Sequence, residues 1–180
     1  LNGNTASNNN DGIILYHSTR NVLSGNNASR NQYGIHIGDS DSNVLSANHA
    51  SNNQYGIYLH YSSDNILTGN TALNNSYGIY LRGSSHSKIF HNNFINNTRP
   101  TTSVNSINSW DNAVEGNYWS DYHGTDADQN GIGETPYAID ENNKDNYPLM
   151  AMLLQFNIVT EGRSYKIYVV CNSTISNLQG

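Results

Sequence analysis

Apolar positions recur with a period of 22 residues through the first half of the chain. Cutting the chain at this period aligns four complete units and the start of a fifth: LNGNTASNNNDGIILYHSTRNV, LSGNNASRNQYGIHIGDSDSNV, LSANHASNNQYGIYLHYSSDNI, LTGNTALNNSYGIYLRGSSHSK and IFHNNFINNT. Self-similarity at a fixed spacing predicts a repeat architecture, in which a unit buries its apolar face only by stacking on its neighbours.

Each unit contains three short patches in which apolar and polar residues alternate. In YGIYL, Ile57 and Leu59 face one side of a strand and Tyr58 faces the other. The inward columns are Ile13/Ile35/Ile57/Ile79 with Leu15/Ile37/Leu59/Leu81, then Leu1/Leu23/Leu45/Leu67/Ile89, and Ala6/Ala28/Ala50/Ala72/Phe94. Helical periodicity and the leucine-rich-repeat pattern are both missing. The pattern therefore predicts an all-β protein, a parallel β-helix (solenoid) of about five coils stacked about 4.8 Å apart.

Asparagine occupies 32 of the 180 positions, and much of it follows the same period. The columns are Asn4/Asn26/Asn48/Asn70/Asn92, Asn9/Asn31/Asn53/Asn75/Asn97 and Asn21/Asn43/Asn65. Asparagine tolerates left-handed corners, and amides stacked in register can form hydrogen-bonded ladders. A glycine column, Gly12/Gly34/Gly56/Gly78, marks a corner without room for a Cβ. We assign all of these residues a structural role.

The repeat resembles the NosD-like group of β-helices, also called carbohydrate-binding and sugar-hydrolase repeats. The match is carried by NILTGNTALNNSYGIYL, from Asn65 to Leu81, and its equivalents through Leu1–Thr98. The resemblance implies a right-handed, single-stranded parallel β-helix. It leaves function open, because the group includes copper-related periplasmic proteins, surface proteins and polysaccharide-active enzymes.

The period breaks after Thr98. RPTTSVNSINSWD predicts a protruding loop near Arg99–Asp111, and NAVEGN then returns to the coil pattern with Val114 and Asn117. We expect a β-helix over residues 1–122, whose open end is covered by Trp119 with Tyr118 and Tyr122. An acidic capping loop at 123–150 follows. Residues 151–180 predict a β-hairpin that ends the cap or begins a second β domain.

Composition narrows the setting and the partners. A net charge of −6 argues against nucleic acid, and no apolar run is long enough for a membrane span. The single Cys171 excludes an internal disulfide and a multi-thiolate metal site. Sequons at Asn27, Asn74, Asn96 and Asn172, and a first residue that is not Met, indicate a secreted fragment or mature region. We expect an extracellular or cell-surface location, with the periplasm as the alternative.

The acidic loop GTDADQNGIGETPYAID has the ligand spacing of a Ca²⁺ loop. Hard oxygen donors alternate, and Gly131 stands at the sixth position. Tyr137 replaces the glutamate of the twelfth position, so another carboxylate must complete the site. The predicted ligands are Asp126, Asp128, Asn130, the carbonyl of Ile132, Glu134 and Asp140. The segment 117–149 also resembles the ending of archaeal NosD-like surface proteins. The alternative is an acidic turn that needs no ion.

The corner after each GIxL strand gathers a second set of candidates. His17, Asp39, Asp41, His60, Asp64, Arg82 and His86 fall on successive coils. Asp39, Asp41 and Asp64 could act as acid and base on a polysaccharide, whereas His17, His60 and His86 could bind copper. Polar residues are also what solvated turns contain.

Outward aromatic residues form the third candidate site. Tyr33, Tyr55 and Tyr77 share one column, and His36, Tyr58 and Tyr80 share another. Such columns can hold sugar rings or partner surfaces, or they can simply stack and stabilise the sheet.

Together these features favour a non-catalytic extracellular module, structural or adhesive, that contacts polysaccharide or another cell-surface component and is stabilised by Ca²⁺. The alternatives are a polysaccharide lyase or glycoside hydrolase and a periplasmic copper-binding module. End-to-end or lateral self-association of the rods is a further expectation.

Overall fold

The computed structural model describes the backbone of residues 1–160 and 163–170 and the side chains of residues 1–154. These residues form strands and no helix. Successive coils contribute strands to three parallel sheets, which contain four, six and five strands. Sheet A contains β3 (Val22–Ser24), β6 (Val44–Ser46), β9 (Ile66–Thr68) and β12 (Lys88–Phe90). Sheet B contains β1 (Thr5–Ser7), β4 (Asn27–Ser29), β7 (His49–Ser51), β10 (Thr71–Leu73), β13 (Asn93–Ile95) and β15 (Tyr118–Trp119). Sheet C contains β2 (Asp11–Tyr16), β5 (Tyr33–Gly38), β8 (Tyr55–His60), β11 (Tyr77–Arg82) and β14 (Arg99–Val104).

The strand register confirms the predicted parallel β-helix of about five coils. Tyr55 pairs with Tyr77, and Ala50 with Ala72, so equivalent residues of adjacent units lie side by side. The apolar columns point inward, and Leu45, Leu59 and most of their equivalents are fully buried. Burial of small aliphatic side chains in three narrow layers holds the coils together.

Asparagine side chains tie each coil to the coils on either side. The backbone N–H and Nδ2 of Asn48 both donate to Oδ1 of Asn70, at 3.0 and 2.9 Å, and Nδ2 also donates to the carbonyl of Leu23 at 3.0 Å. Asn4, Asn26, Asn48, Asn70, Asn92 and Asn117 form this Asn48 ladder. The Asn43 ladder contains Asn21, Asn43, Asn65, Ser87 and Asn108, and the Asn53 ladder contains Asn9, Asn31, Asn53, Asn75 and Asn97. The predicted ladders are confirmed.

A serine ladder was not predicted. The backbone N–H of Ser62 donates to Oγ of Ser84 at 3.0 Å, and Ser18, Ser40 and Ser106 continue the series. These serines recur every 22 residues, so the sequence contains the signal for this ladder. The glycine column is required sterically, because a Cβ on Gly56 would lie 2.5 Å from the carbonyl oxygen of Gly78.

The expected loop at Arg99–Asp111 is wrong in its first half. Residues Arg99–Val104 form β14, which pairs in register with β11 and completes the fifth coil. Sequence patterning missed this strand because its inward positions carry Thr101 and Ser103 instead of aliphatic residues. The hydroxyl of Thr101 is buried without a hydrogen-bond partner in the structure.

The predicted return of the coil at Val114 is wrong, whereas that at Asn117 is correct. Val114 is 65% exposed, and Trp110, which is fully buried, follows Ser109 into the core opposite Ile89. The residues between Trp110 and Asn117 are an insertion. Asn117 rejoins the Asn48 ladder, since its Oδ1 accepts from the backbone N–H of Asn92 at 3.0 Å.

Two antiparallel pairs follow the coils. β16 (Tyr137–Ala138) pairs with β17 (Lys144–Asp145) inside the cap. β18 (Leu153–Thr160) pairs with β19 (Arg163–Val170), as expected for the hairpin, whose predicted turn at Glu161–Arg163 lies largely outside the described residues. The side chain of Asn93 joins this hairpin to sheet B by exchanging two 2.9 Å hydrogen bonds with the backbone of Leu153.

Candidate functional site

The C-terminal end of the rod is closed by a buried carboxylate at the end of the Asn48 ladder. Oδ2 of Asp145 accepts from the backbone N–H of Asn117 at 2.7 Å and from the indole N–H of Trp119 at 2.9 Å. Its Oδ1 accepts from the N–H of Tyr147 at 3.1 Å. Burial raises the pKa of Asp145 to about 6, against the opposing effect of these donors. A carboxylate, which only accepts hydrogen bonds, suits the end of a ladder, because no further coil is present to accept a bond from an amide N–H.

The Asn43 ladder ends in the same cap segment. Oδ1 of Asn143 accepts from the backbone N–H of Asn108 at 2.9 Å and from the indole N–H of Trp110 at 3.1 Å. Each of the two buried tryptophans therefore donates to the residue that ends a neighbouring ladder. Asp140 does not join the acidic loop, because its carboxylate accepts from Nδ2 of Asn143 at 2.9 Å.

Aromatic rings cover the last coil, as predicted for Trp119 and Tyr122. Trp119 is stacked between Phe94, at 4.4 Å between ring centroids, and Tyr137, at 4.2 Å. Burial is the main cause that raises the pKa of Tyr137 well above its usual value, and the carboxylate of Asp121 beside the phenol adds to it. Tyr118 lies in β15, beside Asn93.

The acidic loop brings three of the predicted ligands together. Oxygen atoms of Asp126, Asp128 and Glu134 all lie within 4.8 Å of one another. Asp126 accepts from the N–H groups of Asn130 and Gly131, at 3.0 and 2.9 Å, and Gly131 has a φ of +87°. Oε2 of Glu134 accepts from the hydroxyl of Thr125 at 2.6 Å, and this bond is the main cause of the lowered pKa of Glu134.

The other predicted ligands are placed differently. Oδ1 of Asn130 accepts from the N–H of Ile132 at 2.8 Å, and its Nδ2 donates to Asp128 at 2.9 Å. Ile132 forms an isolated antiparallel bridge with Leu149, which anchors the loop to the segment leading to the hairpin. The acidic loop therefore presents a cluster of oxygen atoms, and its bridge to Leu149 holds the loop in place.

The outward rings of sheet C form one continuous aromatic ridge, made of Tyr33, His36, Tyr55, Tyr58, Tyr77 and Tyr80. Tyr55 stacks between Tyr33 and Tyr77, with centroid distances of 5.1 and 4.9 Å and interplanar angles of 10° and 12°. Desolvation raises the pKa of Tyr55 and of Tyr58. The ridge brings together all five predicted aromatic contact residues.

Both ends of the ridge carry a charged residue. Nη1 of Arg99 donates to the hydroxyl of Tyr77 at 3.1 Å, and the guanidinium carbon lies 5.3 Å from the centre of that ring. At the other end, Nδ1 of His36 lies 2.9 Å from Oδ1 of Asp11. Between these ends, the stacked rings of Tyr33, Tyr55 and Tyr77 turn their faces towards one another and their edges outward.

The acidic candidates on the flank remain solvated turn residues. Asp41 and Asp64 are exposed and Asp39 is half-buried, with Asp39 and Asp64 at positive φ. Oδ1 of Asp41 accepts from the backbone N–H of Ser63 at 2.6 Å, so it braces the next coil.

The three candidate copper ligands occupy different positions on different coils. His17 and His86 are exposed turn residues at positive φ, and His60 ends β8 against the ring of Tyr61. Within residues 1–154, the acidic loop supplies the group of three metal-ligating side chains that the structure contains. None of these histidines belongs to it.

Stacked coils, three amide ladders and a closed end define a parallel β-helix of the solenoid class. This chain belongs to the NosD family, whose model, described as "Periplasmic copper-binding protein (NosD)", matches residues 1–124. No curated protein matches the sequence. The match ends just before the acidic loop, and the likeness of the ending to archaeal surface proteins stays a prediction. No helix among the described residues has the length and apolar character needed to cross a membrane.

Proposed function

We propose that the chain is a non-catalytic module of the cell exterior that holds a polysaccharide or another envelope component against sheet C. The observation that carries this proposal is the aromatic ridge, an unbroken row of six half-buried rings on a rigid sheet. Rigid aromatic side chains give contact area at a small cost in conformational entropy, which suits repeated weak contacts.

The flank supports a non-catalytic function over the lyase or hydrolase alternative. Glycoside cleavage requires two carboxyl groups held at a defined separation, one of them with a raised pKa. Asp39, Asp41 and Asp64 instead sit on open turns, and the oxygen of Asp41 is engaged by backbone. The Asp145 carboxyl, whose pKa is raised, is buried under the cap, away from any sugar chain.

Ca²⁺ in the acidic loop is part of the same proposal. Carboxylate and carbonyl oxygens suit Ca²⁺, whereas copper prefers nitrogen or sulfur donors. Asp126, Asp128 and Glu134 supply only oxygen, and the loop is bridged to Leu149. The ion would fix the cap rather than take part in chemistry.

Binding to immobilised neutral and acidic polysaccharides tests the proposal. We expect retention of the wild-type chain, a severalfold loss for Tyr58→Ala with Tyr80→Ala, and no loss for Tyr61→Ala, an exposed ring off the ridge. Failure of every polymer to retain the chain would contradict the proposal. Release of unsaturated or reducing ends, abolished by Asp41→Ala or Asp64→Ala, would replace it with the enzyme alternative.

Copper binding is the second candidate, and the description of the family favours it. Imidazole is a good copper ligand, and His36 has its Nδ1 fixed by Asp11, which leaves Nε2 as the coordinating atom. Titration with Cu²⁺, followed by electron paramagnetic resonance, tests it. A stoichiometric signal lost in His36→Ala or His60→Ala would establish this function, and binding unchanged in both would exclude these ligands.

A further inference from the structure

We infer that Tyr80, Arg82 and Arg99 form a subsite that selects polysaccharides carrying carboxylate groups. This inference rests on the proposed function of the aromatic ridge and names its ligand class. Tyr80 and Arg82 lie on β11, and Arg99 lies beside Tyr77 at the start of the neighbouring strand β14, so the two arginines stand at opposite ends of this strand pair with Tyr80 between them.

The two guanidinium groups are exposed and lack an acidic partner. The ion pairs within residues 1–154 are His36–Asp11 and His91–Glu115, so neither Arg82 nor Arg99 is neutralised by a carboxylate. Arg99 donates one N–H to the hydroxyl of Tyr77, and Arg82 interacts with that of Tyr58. An arginine has five N–H donors, so each retains donors for a planar carboxylate.

The strands of sheet C leave the subsite positive, and the nearby acidic residues are Asp140 and Glu141 of the cap, which lie against Ser85 and Asn105 beyond the Arg82 end. Asp11 is the acidic residue among the five strands of sheet C, and it lies on the first coil, engaged by His36. Arg82 and Arg99 lie on the fourth and fifth strands of the same sheet. Two arginines without acidic partners, spaced along one strand beside aromatic rings, fit an anionic sugar chain better than a neutral one.

Tyr80 is the ring of the ridge that stands apart from the stack. Its plane makes angles of 88°, 73° and 82° with Tyr55, Tyr58 and Tyr77. The stacked rings cover each other's faces, and the outer face of Tyr77 is covered by Arg99. Tyr80 therefore offers the sugar a ring that no parallel neighbour covers.

The net negative charge of the whole chain repels an anionic polysaccharide, and this leads to an expectation for the salt dependence of binding. Nine of the 14 acidic residues fall between Asp111 and Asp145, whereas residues 1–104 carry five Arg or Lys and four Asp. Repulsion from the acidic cap is screened over about 8 Å at physiological ionic strength, while direct guanidinium contacts are screened less. Affinity should therefore depend on salt much less steeply than in a polyanion site built from a broad basic patch.

The experiment is calorimetric titration of the chain with galacturonate oligosaccharides and with their fully methyl-esterified forms. We expect at least about tenfold tighter binding of the free acid, and loss of that preference in Arg82→Gln with Arg99→Gln. Arg30→Gln, an exposed arginine on another turn, is the matched control and should keep the preference. Thermal unfolding of each variant verifies that it is folded.

The outcomes separate this inference from the proposed function. Equal binding of both forms, unchanged in the double variant, would overturn the carboxylate subsite and leave the polysaccharide module standing. Absence of binding to either form, together with failure on immobilised polymers, would overturn both. Equal affinity for inorganic polyphosphate would show a general anion site and contradict the assignment to polysaccharide.

Discussion

The coils and the cap satisfy buried polar groups in opposite ways. Within the coils, Asn48 finds its partner in the same residue type one coil away, Asn70. In the cap, Asn117 is satisfied by Asp145 and Asn108 by Asn143, residues outside the repeat that are reached across 28 and 35 positions. Partners at the repeat spacing make a solenoid extendable, whereas partners outside the repeat end it. The difference shows why a cap needs its own sequence.

Removing the carboxylate that ends the Asn48 ladder should produce the largest effect. Asp145→Ala leaves the buried N–H groups of Asn117 and Trp119, and the part-buried N–H of Tyr147, without an acceptor, and we expect a loss of about 4 kcal/mol in the free energy of unfolding. Urea unfolding followed by tryptophan fluorescence measures it. Asp64→Asn, an exposed acidic control at a positive φ that asparagine tolerates, should change little. A loss for Asp145→Ala no larger than that of the control would mean that the ladder is not closed here.

Breaking the same ladder in its middle should cost nearly as much. Asn48→Ala removes the acceptor of two N–H bonds from Asn26 and the donor to Leu23, and the expected loss is about 3 kcal/mol. The control is Asn10→Ala, an exposed asparagine outside the ladders. Equal stability of the two variants would refute the structural role of the amide ladders.

The pH dependence distinguishes a carboxylate from an amide at the end of the ladder. The folded-state pKa of Asp145 is raised to about 6 from an ordinary 3.8. Its contribution to stability is therefore complete below pH 3.8 and is lost as the pH rises through 6. The stability of the wild type relative to Asp145→Asn should fall by about 2.4 kcal/mol between pH 4 and pH 7. A difference that stays flat over this range would show that the carboxyl is not perturbed by burial.

Calcium should give the smallest and most conditional effect. At about 100 times the dissociation constant, a bound ion adds about 2.7 kcal/mol of stability. We expect Ca²⁺ to raise the midpoint of thermal unfolding in the wild type and in Asp140→Asn, since Asp140 bonds to Asn143. Asp126→Asn with Asp128→Asn should abolish the response. A response that survives in this double variant would place the ion elsewhere or refute it.

Several parts of the site could be predicted from the sequence because their geometry is repeated. The 22-residue period fixes the register, so the rings of the aromatic ridge and the Asn ladders follow from equal positions in each coil. The spacing of Asp126 and Asp128 is local, and a short loop around Gly131 brings such residues together. By contrast, β14 and Trp110 were missed because polar inward residues and a large indole break the aliphatic pattern that marks a strand.

The 22-residue period alone encodes the solenoid, its coil length, the ladders and the columns of outward rings, because each of these depends on contacts between equivalent residues at one fixed separation. Other contacts became visible only in the folded chain: Asp145 and Asn143 end two ladders, Asp140 bonds to Asn143 and not to the acidic cluster, and Arg99 covers Tyr77. These contacts join residues across irregular separations. No periodic pattern encodes them, and they depend on how the cap packs against the last coil.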